Sequence, residues 1–136
     1  LNVVSDQHGS PTYAEDLANI IAEAIEKKIP YGIYHTTNQE FTTWYEFTKR
    51  IFELANIKCK VNPVSTEEYI EIMKIKQAKR PKNSQLSKDK ILAQGINIPT
   101  WEDGLKRYLE VELHKENTKK LLWKQKVTEK FIYNKE

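Results

Sequence analysis

Val3-Val4-Ser5-Asp6-Gln7-His8-Gly9-Ser10-Pro11-Thr12-Tyr13-Ala14-Glu15-Asp16-Leu17-Ala18 is the stretch on which the fold turns. Residues 1–4 are apolar and β-branched enough to read as a short strand. Residues 6–11 carry Gly9 and Pro11 and read as a loop. Thr12 and Glu15 then stand at the spacing of a capping box, in which each side chain satisfies the other's orphan backbone N–H. Ala14, Leu17, Ala18, Ile21, Ala22 and Ile25 follow at the spacing of one helix face. A strand, a loop and a capped helix in so few residues imply a layered fold of helices on a sheet.

Outward from that stretch the alternation continues. Pro30 and Gly32 stop the helix, and residues 32–36 read as a buried strand with His35 packed in the core. A second capping box, Thr43 and Glu46, opens a helix whose apolar stripe is Trp44, Phe47, Ile51, Phe52, Leu54 and Ala55. This pattern assigns Trp44 to the core. Residues 60–64 form a short strand, and Ser65 with Glu68 cap a short helix through Tyr69 and Ile72. Residues 76–83 are basic and without period, hence a loop, and residues 87–94 form a short helix closed by Gly95. Thr100 and Asp103 cap a last helix carrying Trp101, Leu105, Tyr108 and Leu109. The expected class is mixed α/β, with one unit over residues 1–112. A Lys-rich, helical or frayed tail spans 113–136, where Leu121, Leu122, Trp123, Val127 and Phe131 could pack on the body or on a partner.

Bulk properties narrow the function classes. The chain has 136 residues, 39% of them apolar and 30% charged, with a net charge of +3. A chain this long buries about two-thirds of its unfolded surface, enough for one core. The basic excess lies in the tail and reads as a solvated face, and no nucleic-acid-binding module accompanies it. Cys59 is the only cysteine, so no internal disulfide forms and a reducing, cytoplasmic setting is expected. Lys58 and Lys60 flank that thiol, yet no base accompanies it, and it reads as an ordinary strand or loop residue. No apolar run approaches the roughly 18 to 20 residues of a membrane span, and no signal peptide is visible. The chain opens without methionine inside a strand, which points to a fragment.

Several chemistries lack their residues. Gly9, Gly32, Gly95 and Gly104 are too scattered for a dinucleotide or P-loop turn, so no cofactor is expected to bind this chain alone. His8, His35 and His114 show no metal-ligand spacing, so no metal site is expected. His8, in the loop, is the one of interest. Tyr45 and Lys49 reproduce a Tyr-x-x-x-Lys spacing, but any residues four apart on a helix share a face, and no cofactor motif precedes them. They read as a surface aromatic beside a lysine, so no catalytic residue is assigned to this chain.

Three motifs together carry a resemblance. They are the opening stretch, Gly32-Ile33-Tyr34-His35-Thr36-Thr37-Asn38 with Thr43-Trp44-Tyr45-Glu46-Phe47, and Arg80-Pro81-Lys82-Asn83-Ser84-Gln85-Leu86-Ser87 with Pro99-Thr100-Trp101-Glu102-Asp103-Gly104-Leu105. In this order they resemble the C-terminal, substrate-binding half of dTDP-4-dehydrorhamnose reductases, which are extended short-chain dehydrogenases/reductases. The Asp-Gln-x-Gly-x-Pro-Thr and Arg-Pro-x-Asn-Ser-x-Leu runs are the specific ones, and the likeness ends near Leu109.

The resemblance implies a parent that reduces dTDP-4-dehydro-L-rhamnose to dTDP-L-rhamnose with NADPH or NADH, in rhamnose biosynthesis. It also implies that this chain holds the dTDP-sugar and that the missing partner is an N-terminal Rossmann domain. Arg80 would grip the diphosphate, since a guanidinium forks onto two phosphate oxygens. Asn83 would meet a sugar or ribose hydroxyl, Gln7, Ser10 and Thr12 would line the cleft, and Asp16 would anchor the loop. The methionine adenosyltransferase regulatory β subunit shares this architecture and an Arg-Pro-x-Asn stretch. It provides a non-catalytic, partner-binding alternative. A stand-alone interaction module using the basic tail is a third reading. Apolar surface freed of a cofactor domain is expected to drive self-association.

Overall fold

The structure is a computed structural model and describes residues 1–76 and 78–116, with side chains as far as Glu112. The expected tail over 113–136 therefore lies almost wholly outside the described residues. The elements run β1 (Asn2–Val4), β2 (His8–Gly9), α1 (Ala14–Glu26), β3 (Thr42–Thr43), α2 (Trp44–Leu54), β4 (Asn62–Val64), α3 (Thr66–Met73), α4 (Asp89–Leu92) and α5 (Trp101–Glu116). The mixed α/β expectation holds. The strands form two small ladders rather than one sheet: β1 pairs parallel with β4, and β2 pairs antiparallel with β3. A parallel pair needs a crossover, and here α1 and α2 lie between its strands in sequence. Pro63 sits opposite Val3 in β4, which a two-stranded ladder tolerates because one edge of each strand carries no partner.

The helix starts show how far local reading reaches. Ser65 and Glu68 make the full reciprocal box, with Glu68 N–H donating to Ser65 Oγ at 3.1 Å and Ser65 N–H to Glu68 Oε2 at 2.7 Å. Thr43 and Thr100 accept from the N–H groups of Glu46 and Asp103. The box expected at Thr12 does not form. α1 starts two residues later, at Ala14, and Thr12 Oγ1 donates to the Ser10 carbonyl. The Tyr13 N–H is taken by Asn38 Oδ1 at 2.9 Å, from another part of the chain. A distant side chain has replaced the local cap.

The core also departs from the expected stripe. Ile20, Ile91, Ile96 and Ile98 are buried together, with Ala24, Ile29, Tyr34 and Leu92 packed on them. Ile20 is the buried apolar residue of α1, whereas Ile21 and Ile25 are 51% and 71% exposed. Each buried isoleucine contributes about 1.5 to 3 kcal/mol of transfer free energy. Ile96 and Ile98 follow Gly95, whose φ of +73° turns the chain back after α4 and suits a residue without a Cβ.

Residues 32–36 are not a strand. They run without ladder partners among the described residues, Ile33 is 82% exposed, and His35 is on the surface rather than packed. Their apolar pattern needs a neighbouring strand that the described chain does not supply. The pattern recurs nearby. Ile21, Ile25, Tyr31 and Tyr34 line an open hollow of about 670 Å³ between α1 and residues 28–36.

α5 closes the opposite side. Phe47 of α2 meets Trp101 edge-on at 5.8 Å, and Arg50 donates to Glu102 at 2.6 Å. Gly104 lets α5 come down onto the start of α1. A Cβ there would stand 3.0 Å from Asp16 Oδ2 and 3.1 Å from Tyr13 Cβ. Below it, Arg107 clamps both oxygens of the buried Asp16 at 2.6 and 2.8 Å, and Asn38 Nδ2 donates to the same carboxylate at 2.7 Å. Asp16 is thus an anchor, as expected.

Candidate functional site

Three segments far apart in sequence meet at β2. His8 and Gly9 pair with Thr43 and Thr42 on one side. On the other, His8 N–H donates to the Lys82 carbonyl and Ser84 N–H to the His8 carbonyl, both at 2.8 Å. Ser10 Oγ donates to the Glu40 carbonyl at 2.7 Å and fixes the loop that leaves β2. Upstream, Asp6 accepts from the Thr66 N–H and hydroxyl at the start of α3. The hydroxyl bond, more than any other influence, holds the Asp6 carboxyl below its usual range. The backbone around residues 5–10 is therefore tied at both ends.

Between these segments lies a cleft of about 340 Å³, at the small end of the range for small-molecule sites. Gln7, Ser10 and Arg80 line it. Thr12 and Asn83 do not. Thr12 borders a separate apolar hollow with Phe47, Trp101 and Tyr108. Asn83 turns its Oδ1 onto the Gln85 N–H at 2.9 Å, a side-chain turn that shapes the loop.

The cleft also holds residues that local patterns did not assign to it. Trp44 is 56% exposed and lines the cleft rather than the core. As the first residue of α2 it precedes the turns that α2 packs against α5, so helical spacing alone misplaced it. Thr37 lines the cleft too, and its buried hydroxyl has no hydrogen-bond partner among the described residues. His8 is on the lining as well.

Charge singles out one residue. The chain has three arginines: Arg50 is bound to Glu53 and Glu102, and Arg107 to Asp16 and Asp103. Arg80 is exposed on the cleft with no carboxylate partner among the described residues. A guanidinium left unpaired beside hydroxyls and an amide fits an anionic, hydroxyl-bearing ligand. Lys88 is buried, and burial pushes its amine down; its Nζ rests 4.5 Å over the Phe41 ring, and it is not part of the cleft lining.

The family model described as the RmlD substrate binding domain covers residues 1–113. The chain belongs to that family. The chain is 39% identical over 110 residues to the spore coat polysaccharide biosynthesis protein SpsK of Bacillus subtilis, covering 81% of the chain and 36% of SpsK. It is 38% identical over 119 residues to the dTDP-4-dehydrorhamnose reductase of Aggregatibacter actinomycetemcomitans, covering 78% of the chain and 38% of that enzyme. Among solved structures, the Bacillus anthracis dTDP-4-dehydrorhamnose reductase in complex with NADP superposes with a TM-score of 0.72 at 42% identity, over 80% of this chain and 37% of that one. The chain thus spans little more than a third of the length of these relatives. The named reductases favour the reductase over the regulatory-subunit reading.

Within the RmlD substrate-binding fold of this chain, Tyr45 and Lys49 sit together on α2. Lys49 is 5.2 Å from the Tyr45 ring and bound to Glu46 at 3.4 Å, and neither lines the cleft. The described residues do not fit a dinucleotide. Gly9 is in β2, Gly32 in coil, Gly95 after α4 and Gly104 inside α5, so none forms a glycine-rich turn into a helix. No group of His, Cys, Asp and Glu among the described residues could hold a metal, and no described helix is long and apolar enough to cross a membrane.

Proposed function

We propose that this chain is the nucleotide-sugar-binding part of a dTDP-4-dehydrorhamnose reductase. The observation that carries the reading is Arg80, an arginine without a carboxylate partner among the described residues, facing the cleft formed by the family's two specific motifs. Arg80 grips the diphosphate through paired N–H donors. Gln7 and Ser10 meet hydroxyls of the sugar or ribose. Thr12 and Asn83 act one step back, shaping the loops that carry Ser10 and Arg80.

The reduction itself belongs to the whole enzyme. That enzyme converts dTDP-4-dehydro-L-rhamnose to dTDP-L-rhamnose in the cytoplasm, with hydride from NADPH or NADH. The present chain contributes recognition and orientation of the sugar-nucleotide. NADP in the Bacillus anthracis relative supports NADPH as the reductant.

Titrating dTDP-rhamnose into the chain and into Arg80→Ala tests the reading. The variant is expected to bind about 1.5 to 3 kcal/mol more weakly, the scale of a charge-assisted hydrogen bond. Arg80→Lys should recover only part of that loss, because an ammonium cannot fork. Equal affinity of Arg80→Ala and the unaltered chain would remove Arg80 from the site.

The apolar hollow beside α1 supports a second expectation. Ile21, Ile25 and Tyr31 are exposed and line that hollow. In a full-length reductase the N-terminal Rossmann domain would cover them. In this chain alone they should drive reversible self-association. Sedimentation at rising concentration should show a growing average mass, and a constant monomer mass would count against it.

A further inference from the structure

Among the described residues Trp44 and Tyr31 are exposed aromatics without a ring or cation contact, and of the two only Trp44 lines the cleft. Tyr13 packs on Tyr108 and Phe47 on Trp101, while Tyr34, Phe41 and Tyr45 each lie under a lysine ammonium. Among the described residues Trp44 takes part in no ring–ring or cation–ring contact, and it is 56% exposed on the cleft that holds Arg80. Its backbone is held on both sides. Thr43, just before it, pairs with His8 and caps α2, and Thr48 Oγ1 donates to the Trp44 carbonyl at 2.8 Å. The indole is therefore a large, half-exposed apolar face on the cleft wall.

We infer that Trp44 is the platform on which the cleft receives the pyrimidine base of its ligand, an inference that rests on the nucleotide-sugar reading above. A nucleotide-sugar has three parts with different demands. The diphosphate calls for a cation, which Arg80 offers. The sugar and ribose call for donors and acceptors, which Gln7 and Ser10 offer on the same wall. An indole has one N–H donor and no acceptor, so its face suits the part of the ligand poorest in hydroxyls. That part is the base, whose π-face stacks on an aromatic ring whatever its edge pattern.

The test compares dTDP, dTDP-rhamnose and inorganic pyrophosphate on the full chain, on Trp44→Ala and on Trp44→Phe. Affinity is read by calorimetry, and indole emission reports the contact directly. Trp44→Ala should weaken dTDP binding about 5- to 150-fold, the range measured for one stacked base. Its pyrophosphate affinity should stay within about twofold, because stacking acts on the base and leaves the phosphate contacts alone. Trp44→Phe should retain most of the dTDP affinity while losing the change in emission. Circular dichroism confirms that both variants are folded. Equal weakening of dTDP and pyrophosphate, or of neither, would overturn the inference and leave the nucleotide-sugar reading in place. A penalty seen only with dTDP-rhamnose would also overturn it, because Trp44 would then pack on the pyranose. If the unaltered chain bound none of the three, the nucleotide-sugar reading would fall and the inference with it.

Discussion

Asn38→Leu should lower the unfolding free energy of this chain by about 3 to 5 kcal/mol, made up of one orphaned buried donor and several lost hydrogen bonds. Asn38 is fully buried, at 0% exposure. Its Oδ1 accepts from the Tyr13 N–H, and its Nδ2 donates to Asp16 Oδ2 and to the carbonyls of Pro99 and Thr100. One side chain therefore joins the loop before α1, the loop before β3 and the entry to α5. Leucine matches asparagine in shape but leaves the Tyr13 N–H without a partner. The carbonyls of Pro99 and Thr100 keep their backbone bonds from Gln39 and Gly104, so they add less. A domain of this kind holds only about 5 to 15 kcal/mol in total. The variant should accordingly unfold at much lower denaturant with an unchanged slope. A loss under about 1 kcal/mol would mean that the network contributes little beyond an ordinary surface site.

Asp16→Ala is the second large effect, expected at about 2 to 4 kcal/mol. Removing one partner of a buried ion pair costs about 3 to 5 kcal/mol when the remaining charge stays buried. The Arg107 side chain is 36% exposed and also holds Asp103, so part of that penalty is relieved by solvent and by the second carboxylate. Asp16 and Asn38 touch, so their effects should not add. A double-mutant cycle should return a coupling of about 0.5 to 3 kcal/mol. Strict additivity would show that the two side chains act separately and would break the account of a single network. Both variants should also weaken dTDP-rhamnose, because the network fixes residues 10–13 and 38–43, on which Ser10 and Trp44 are carried.

The legible part of this protein was local. The full box at Ser65 and Glu68, the cap at Thr100 and the turn at Gly95 depend on groups within four residues and formed as read, while the box read at Thr43 and Glu46 formed in half, as a Glu46 N–H bond to Thr43 Oγ1. Where a distant group competed, local reading failed. Thr12 and Glu15 have the right spacing, but Asn38 reaches the Tyr13 N–H from 25 positions away and α1 begins later. Residues 32–36 have the composition of a buried strand, and composition cannot supply the neighbour on which a ladder depends. Trp44 fell on the apolar face of a helical repeat, yet at a helix's first turn that face need not be covered.

The motifs by themselves determined the family, the mixed α/β class and the choice of Arg80, Gln7 and Ser10, because those assignments rest on residue types in a fixed order. Only the tertiary structure decided which of those side chains share a cleft. It set Thr12 and Asn83 outside and brought Trp44 and Thr37 in. It alone left Arg80 without a carboxylate among the described residues while giving the other two arginines carboxylates. The reason is physical: pairing, burial and convergence are relations between residues dozens of positions apart, and spacing along the chain carries no information about them until the backbone has closed.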